Sequence, residues 1–139
     1  MITTRQQLLY SVSATRRLLS LAAEIALKVR EFERVMWVHV AGHRPTFISK
    51  SVYRQHFVER RRKESQKLIA RNQGDYWVVY NPAKQTSYCV EALPAEISCN
   101  CEDYGNQIKL LGRGCCKHGY AVLAQLGFTN LRDYLATAK

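Results

Sequence analysis

Cys99-Asn100-Cys101 and Cys116-Lys117-His118 are the residues from which the fold of this chain is read. On a strand, positions two apart point to the same side, so Cys99 and Cys101 present both thiolates in one direction. Inside a helix that reasoning fails for Cys116 and His118, whose side chains diverge. It holds when Cys116 lies just before a helix and His118 in its first turn, where the helix N-terminus favours a thiolate. Gly112, Gly114 and Gly119 allow that approach. Three sulfurs and one imidazole make a closed tetrahedral set, the form a structural zinc ion prefers, and no position is left for a catalytic water. Disulfides suit export, and five cysteines is an odd number. A catalytic Cys–His pair needs an orienting partner and a pocket, and the sequence names neither. Cys115 adjoins Cys116 and offers an alternative third sulfur; the Cys-x-His spacing favours Cys116. Cys89, between Tyr88 and Val90, reads as a buried or half-buried free thiol.

Working outward, Tyr76 to Tyr80 is aromatic and β-branched and reads as a strand, Asn81 to Gln85 as a turn, Thr86 to Glu91 as a second strand and Ile97 to Cys101 as a third. A helix is predicted from about Lys117 to Leu126, with Gly127 as its stop. A short last helix follows Thr129-Asn130, with Leu131, Tyr134 and Leu135 inward and Asn130 paired to Asp133 at its start. The expected fold class is α+β: N-terminal helices, then a small antiparallel sheet of about three strands, then a helix clipped by structural zinc. The expected domains are a basic helical region over 1–72 and a zinc-binding domain over 73–139, joined at the polar cluster Asn72-Gln73-Gly74-Asp75.

For the first region, Leu18, Ala22, Ile25, Val29, Phe32 and Met36 recur at steps of four and three, which predicts one helix from Ser13 to about Met36. That stripe is either a core face or a short heptad seam for a second chain. Val38 to Phe47, with Gly42 and Pro45, reads as an irregular connection. A second helix is predicted from Ser49 or Ser51 to about Asn72, with Tyr53, Phe57 and Leu68 on one face. Arg60, Lys63, Lys67 and Arg71 fall on the neighbouring face, and Arg61 and Arg62 widen the patch. A solvated helix face is the ordinary reading of such a run.

The 139 residues carry 21 Lys+Arg against 11 Asp+Glu, a formal charge of +10. Of this, +9 falls before Tyr76 and +1 after it, while all five cysteines fall after it. With 47% hydrophobic and 10% aromatic residues the chain is not of disordered composition. No stretch reaches the length of about 18 apolar residues that a membrane span needs. The polar start, Met-Ile-Thr-Thr-Arg-Gln-Gln, does not suggest secretion. The expected compartment is therefore a reducing interior: cytoplasmic, or nuclear in a eukaryotic cell.

Cys99-x-Cys101, Glu102-Asp103-Tyr104, a glycine-bearing spacer and Cys116-Lys117-His118-Gly119-Tyr120-Ala121-Val122-Leu123 resemble the SWIM-type zinc finger over about residues 63–127. The resemblance implies a β-hairpin followed by a helix, with Cys99, Cys101, Cys116 and His118 as ligands of one structural Zn2+. It also implies DNA binding or protein–protein contact, in that order, since SWIM-type domains occur in transposase-like, helicase-associated, recombination-accessory and ubiquitin-ligase-like proteins. Gly112-Arg-Gly114 is followed by cysteines, so no Walker-type phosphate loop is present, and an acid cluster for two-metal chemistry is missing. The expectation is a non-enzymatic protein that binds nucleic acid, DNA before RNA, through Arg60, Arg61, Arg62, Lys63, Lys67 and Arg71, with Arg113 and Lys117 beside the zinc. Tyr76, Trp77 and Tyr80 suit stacking on unpaired bases, although strand aromatics are more often core. The alternative is an adaptor or accessory subunit of a DNA-processing complex, docking or dimerising through the Leu18–Met36 stripe.

Overall fold

The computed structural model describes residues 8–137; the polar start lies outside the described residues. The chain divides into two compact units, Met1–Glu59 and Arg60–Lys139. The join expected at residue 72 lies inside the second of them, in a turn between two strands. Counted by unit, the charge is even: nine Lys+Arg against four Asp+Glu in the first and twelve against seven in the second, +5 each.

In the first unit, α1 (Val12–Leu18) starts at Ser11, whose Oγ accepts the Ala14 N–H at 3.0 Å. It stops one turn after Thr15, where Ser20 turns left-handed at φ 54°. The Arg16 guanidinium then donates to the Ala22 and Ile25 carbonyls and pins the loop. A three-stranded antiparallel sheet follows: β1 (Leu27–Glu31), β2 (Val35–Val40) and β3 (Thr46–Ser49), in the order β1-β2-β3. The long helix expected over Ser13–Met36 therefore does not form, and neither does its apolar stripe. Leu18 ends a short helix, Val29 is on β1, and Met36 is fully buried on β2. The apolar residues of 27–40 fit a period of two as well as one of 3.6, and strand pairing chooses between them. Leu27, Val29, Met36, Val38 and Ile48 share one face by register, with Met36 and Val38 at 0% exposure. The region read as an irregular connection is the β2–β3 hairpin, turned at Gly42 with φ 84°. Tyr53, at 2% exposure, meets the Tyr10 ring edge-on, and its hydroxyl lies 2.7 Å from Thr15 Oγ1.

Helix α2 (Lys50–Ser65) begins after Ser49 as expected, but ends seven residues before Asn72. Ile69–Asn72 is instead β4, the edge of a second antiparallel sheet completed by β5 (Trp77–Asn81), β6 (Thr86–Ala92) and β7 (Ile97–Cys99) in the order β4-β5-β6-β7. Four strands stand where about three were expected. Asn72 Oδ1 accepts the Gly74 N–H at 2.8 Å, and Gly74 takes φ 99°, so the Asn72–Asp75 cluster is a hairpin turn. The chain continues as α3 (Glu102–Leu111), α4 (Lys117–Gln125) and α5 (Leu131–Thr137). Helix α4 lies on the face of the sheet that carries Val79, Val90 and Ile97, and its Val122 and Leu123 are fully buried there. At α5, Asn130 Oδ1 accepts the Asp133 N–H at 2.8 Å, the expected capping pair. Among the described residues no helix is long and apolar enough to cross a membrane.

Candidate metal centre

Cys99 ends β7 on the face turned toward α4 and is opposite Val90 in register. Cys101 is not on the strand, where the Cys-x-Cys spacing would put it. It is the N-cap of α3, a helix formed within the expected spacer, and its Sγ accepts the Tyr104 N–H at 3.4 Å. Cys116 has the same role at α4, with its Sγ accepting the Gly119 N–H at 3.4 Å. Two of the three sulfurs thus sit where a helix leaves N–H groups unpaired and favours negative charge. His118 is in the first turn of α4, the position expected for it.

The ligand atoms of Cys99, Cys101, Cys116 and His118 all lie within 4.8 Å of one another, and all four residues are buried. His118 Nδ1 is 3.7 Å from both the Cys99 and Cys116 sulfurs. A tetrahedral ion with zinc's bond lengths to sulfur and nitrogen requires S···N edges of about 3.6 Å, so the donor set fits one such ion. The Tyr88 ring, 4.6 Å from the imidazole, holds its plane. Cys115 is not in this set: its S–H donates to the Cys116 carbonyl, and burial pushes its thiol up to about 12. The third sulfur of the cluster is that of Cys116.

Hydrogen bonds from the Cys116 and Cys99 thiols hold the Cys101 thiol well below its ordinary range. The same contacts act in reverse on their donors: the bond to Cys101 pushes Cys99 up to about 12 and raises Cys116. In the metal-free cluster the proton is therefore held more readily on the Cys99 and Cys116 thiols than on Cys101. A metal ion must displace the protons these thiols hold. Metal binding is expected to release protons into a weakly buffered solution, and apparent affinity to fall as pH falls. Proton release measured during a zinc titration checks this; no release at neutral pH contradicts it.

A second layer braces the site. Gln107, 1% exposed, donates to the Cys115 carbonyl at 3.1 Å and accepts the Cys115 N–H at 3.0 Å, gripping the backbone next to Cys116. Its Nε2 also donates to Asp103 at 3.0 Å, and Asp103 takes a two-pronged contact from Arg61 at 2.9 and 2.8 Å. The sequence reading missed Asp103 and Gln107. Their signal was the acidic pair Glu102-Asp103 just after Cys101, the mark of a helix first turn, with Gln107 four residues on.

The basic residues are dispersed. Arg60 and Lys63 are on α2, but Lys67 lies in the turn after it and Arg71 on β4, so the helical spacing drawn through all four does not hold beyond Lys63. Arg61 is buried on Asp103, and Arg62 lies over the Tyr120 ring at 5.9 Å. Arg60 and Lys117 both approach Glu64, at 3.6 and 3.9 Å. Lys63, Lys67, Arg71 and Arg113 are exposed. Cys89, expected buried or half-buried, is exposed as well: it is on the sheet face opposite Cys99, since a one-residue step along a strand changes the side. No family model, curated protein or solved structure matches the chain.

Proposed function

We propose that residues 60–137 form a SWIM-type module whose metal is a single structural zinc ion, and that the protein binds nucleic acid, DNA first, without being an enzyme. The observation that carries this reading is the closed donor set: three sulfurs and one ring nitrogen, all buried, supported at two helix N-termini. Such a site holds a fold and offers no coordination position to a substrate. The cations left for phosphate contact are Lys63, Lys67, Arg71 and Arg113, with Arg60 and Lys117 drawn toward Glu64 and Arg61 committed to Asp103. The adaptor alternative loses its stated surface, because the Leu18–Met36 stripe does not exist as a helix face.

The test is a titration of the zinc-loaded protein with duplex DNA across a range of salt, repeated on a Lys63→Glu/Lys67→Glu/Arg71→Glu variant. The expected result is affinity that falls steeply with salt, and a variant with a salt slope smaller by about 0.9 for each phosphate it no longer neutralises. Unchanged affinity and slope in the variant would remove these residues from the interface. An absence of binding to duplex DNA at low salt would overturn the DNA reading.

A further inference from the structure

The sheet of the first unit has one closed face and one open face. Register places Lys28, Arg30, Trp37, His39 and Phe47 on the open one, opposite to Met36 and Val38, and Phe32 joins them at the end of β1. Arg30, Trp37 and Phe47 form a row straight across the three strands, and Lys28 and His39 form the next. The two phenylalanine rings are uncovered and Trp37 is half-buried beside them. Phe32 and Phe47 meet edge-on at 6.1 Å while 45% and 62% exposed, and Trp37 lies 5.8 Å from His39. A groove of about 700 Å³ along β1 is lined by Lys28, Arg30, Phe32 and Trp37, together with Val12, Leu27 and Val29.

We propose that this open face is a platform for single-stranded nucleic acid, with bases stacked on Phe47, Trp37 and Phe32 and phosphates held by Lys28 and Arg30. The charge of the face selects this occupant. Its two cations form no ion pair among the described residues. The carboxylate of the same strand, Glu31, points to the other side, where it binds Lys50 at 2.6 Å. Aromatic rings beside unpaired cations match a polymer that alternates π-faces with phosphates, and every base offers such a face. A duplex hides its base faces and cannot use the rings. A second copy of this chain, docked isologously, would press one positively charged face against an identical one. The surface shares no residue with the zinc module or with the side chains assigned above to duplex DNA, so the two readings fail independently.

The experiment uses the full, zinc-loaded chain and labelled oligo(dT), oligo(U) and duplex DNA, read by fluorescence anisotropy at low and raised salt. Phe47→Ala is expected to weaken oligo(dT) or oligo(U) binding roughly 5- to 100-fold while leaving duplex affinity unchanged. Phe47→Tyr keeps a ring and is expected to keep the affinity, which separates loss of stacking from loss of fold. Lys28→Glu/Arg30→Glu is expected to weaken the same ligands and flatten their salt dependence. In a Trp77→Phe background, the remaining indole, Trp37, should be quenched as oligo(dT) binds. Single-strand binding that survives both the Phe47→Ala and the Lys28→Glu/Arg30→Glu changes would overturn the platform. So would an absence of single-strand binding alongside intact duplex binding, which leaves the zinc-module reading in place. Conversion of a dimer to a monomer by Phe47→Ala would assign the face to a second copy and overturn it too.

Discussion

Cys116→Ser is expected to take bound zinc from about one ion per chain to near none and to unfold the second unit, residues 60–137. Cys116 is fully buried, caps α4, and shares the cluster with Cys99, Cys101 and His118. It therefore joins the end of β7 and the starts of two helices through one point. A structural zinc ion in such a site adds apparent binding energy on the order of 10–16 kcal/mol near neutral pH, comparable with the whole stability of a small domain. Without it, the site is three sulfurs packed together, in a sheet-and-helix layer whose fully buried apolar centre is Val79, Val90, Ile97, Val122 and Leu123. The measurement is metal content by elemental analysis together with amide exchange over 60–137. Strong zinc chelation of the unaltered protein should reproduce the exchange pattern. Cys115→Ser is the control: its sulfur is outside the cluster, so zinc should stay near one per chain. Equal zinc loss in both variants would mean that the adjoining thiols substitute for each other, and the assignment of Cys116 would be wrong.

Gly114→Ala is expected to destabilise the zinc-loaded protein by about 3 kcal/mol, while Gly105→Ala, nine residues earlier, stabilises it by about 0.5–1 kcal/mol. A Cβ at Gly114 would run into Gln107 Oε1 and lie 2.6 Å from Gln107 Cβ, which no real contact allows. The Gln107 side chain is buried and must leave, abandoning the Cys115 N–H and carbonyl that it pairs. Two buried backbone groups without partners cost about 1–3 kcal/mol each, and release of Asp103 removes a further brace. At Gly105 nothing lies within 4 Å of the added carbon, and the residue sits exposed inside α3, where alanine is the better helix former. Chemical denaturation of both variants with zinc present measures the pair. A neutral Gly114→Ala would show that Gln107 does not hold the Cys115 backbone in place.

The contrast between these two glycines marks where sequence reasoning reaches its limit. Both sit near cysteines, and the sequence treats Gly112, Gly114 and Gly119 alike as room for approach. In the structure each has a separate reason: Gly112 is the left-handed C-cap of α3, Gly114 clears Gln107, and Gly119 clears the Cys115 sulfur, 2.8 Å from where its Cβ would stand. Helix α3 is hidden in the sequence because its cap is a cysteine, outside the usual capping residues. The Leu18–Met36 segment mimics a helix because short apolar runs satisfy two periods at once. Neither local propensity nor spacing can reject that helix without the knowledge that β1 pairs β2. The edge strand β4 reads as part of α2 for the same reason, since a four-residue strand exists only through its partner.

By itself the sequence determined which residues make up the metal site and several of the elements around it. Cys-x-Cys and Cys-x-His are short-range patterns, and donor type with spacing fixes what ion they suit. The aromatic strand runs, the helix starting at Lys117 and the final capped helix are equally local, and they stand where the residues placed them. Tertiary structure decided the rest: which sulfur of Cys115-Cys116 turns inward, which arginine of Arg60–Arg62 is spent on Asp103, and which face of 27–49 is left open. Those outcomes depend on partners far along the chain. Their energies belong to pairs of residues, and a pair's energy is not written in either member alone.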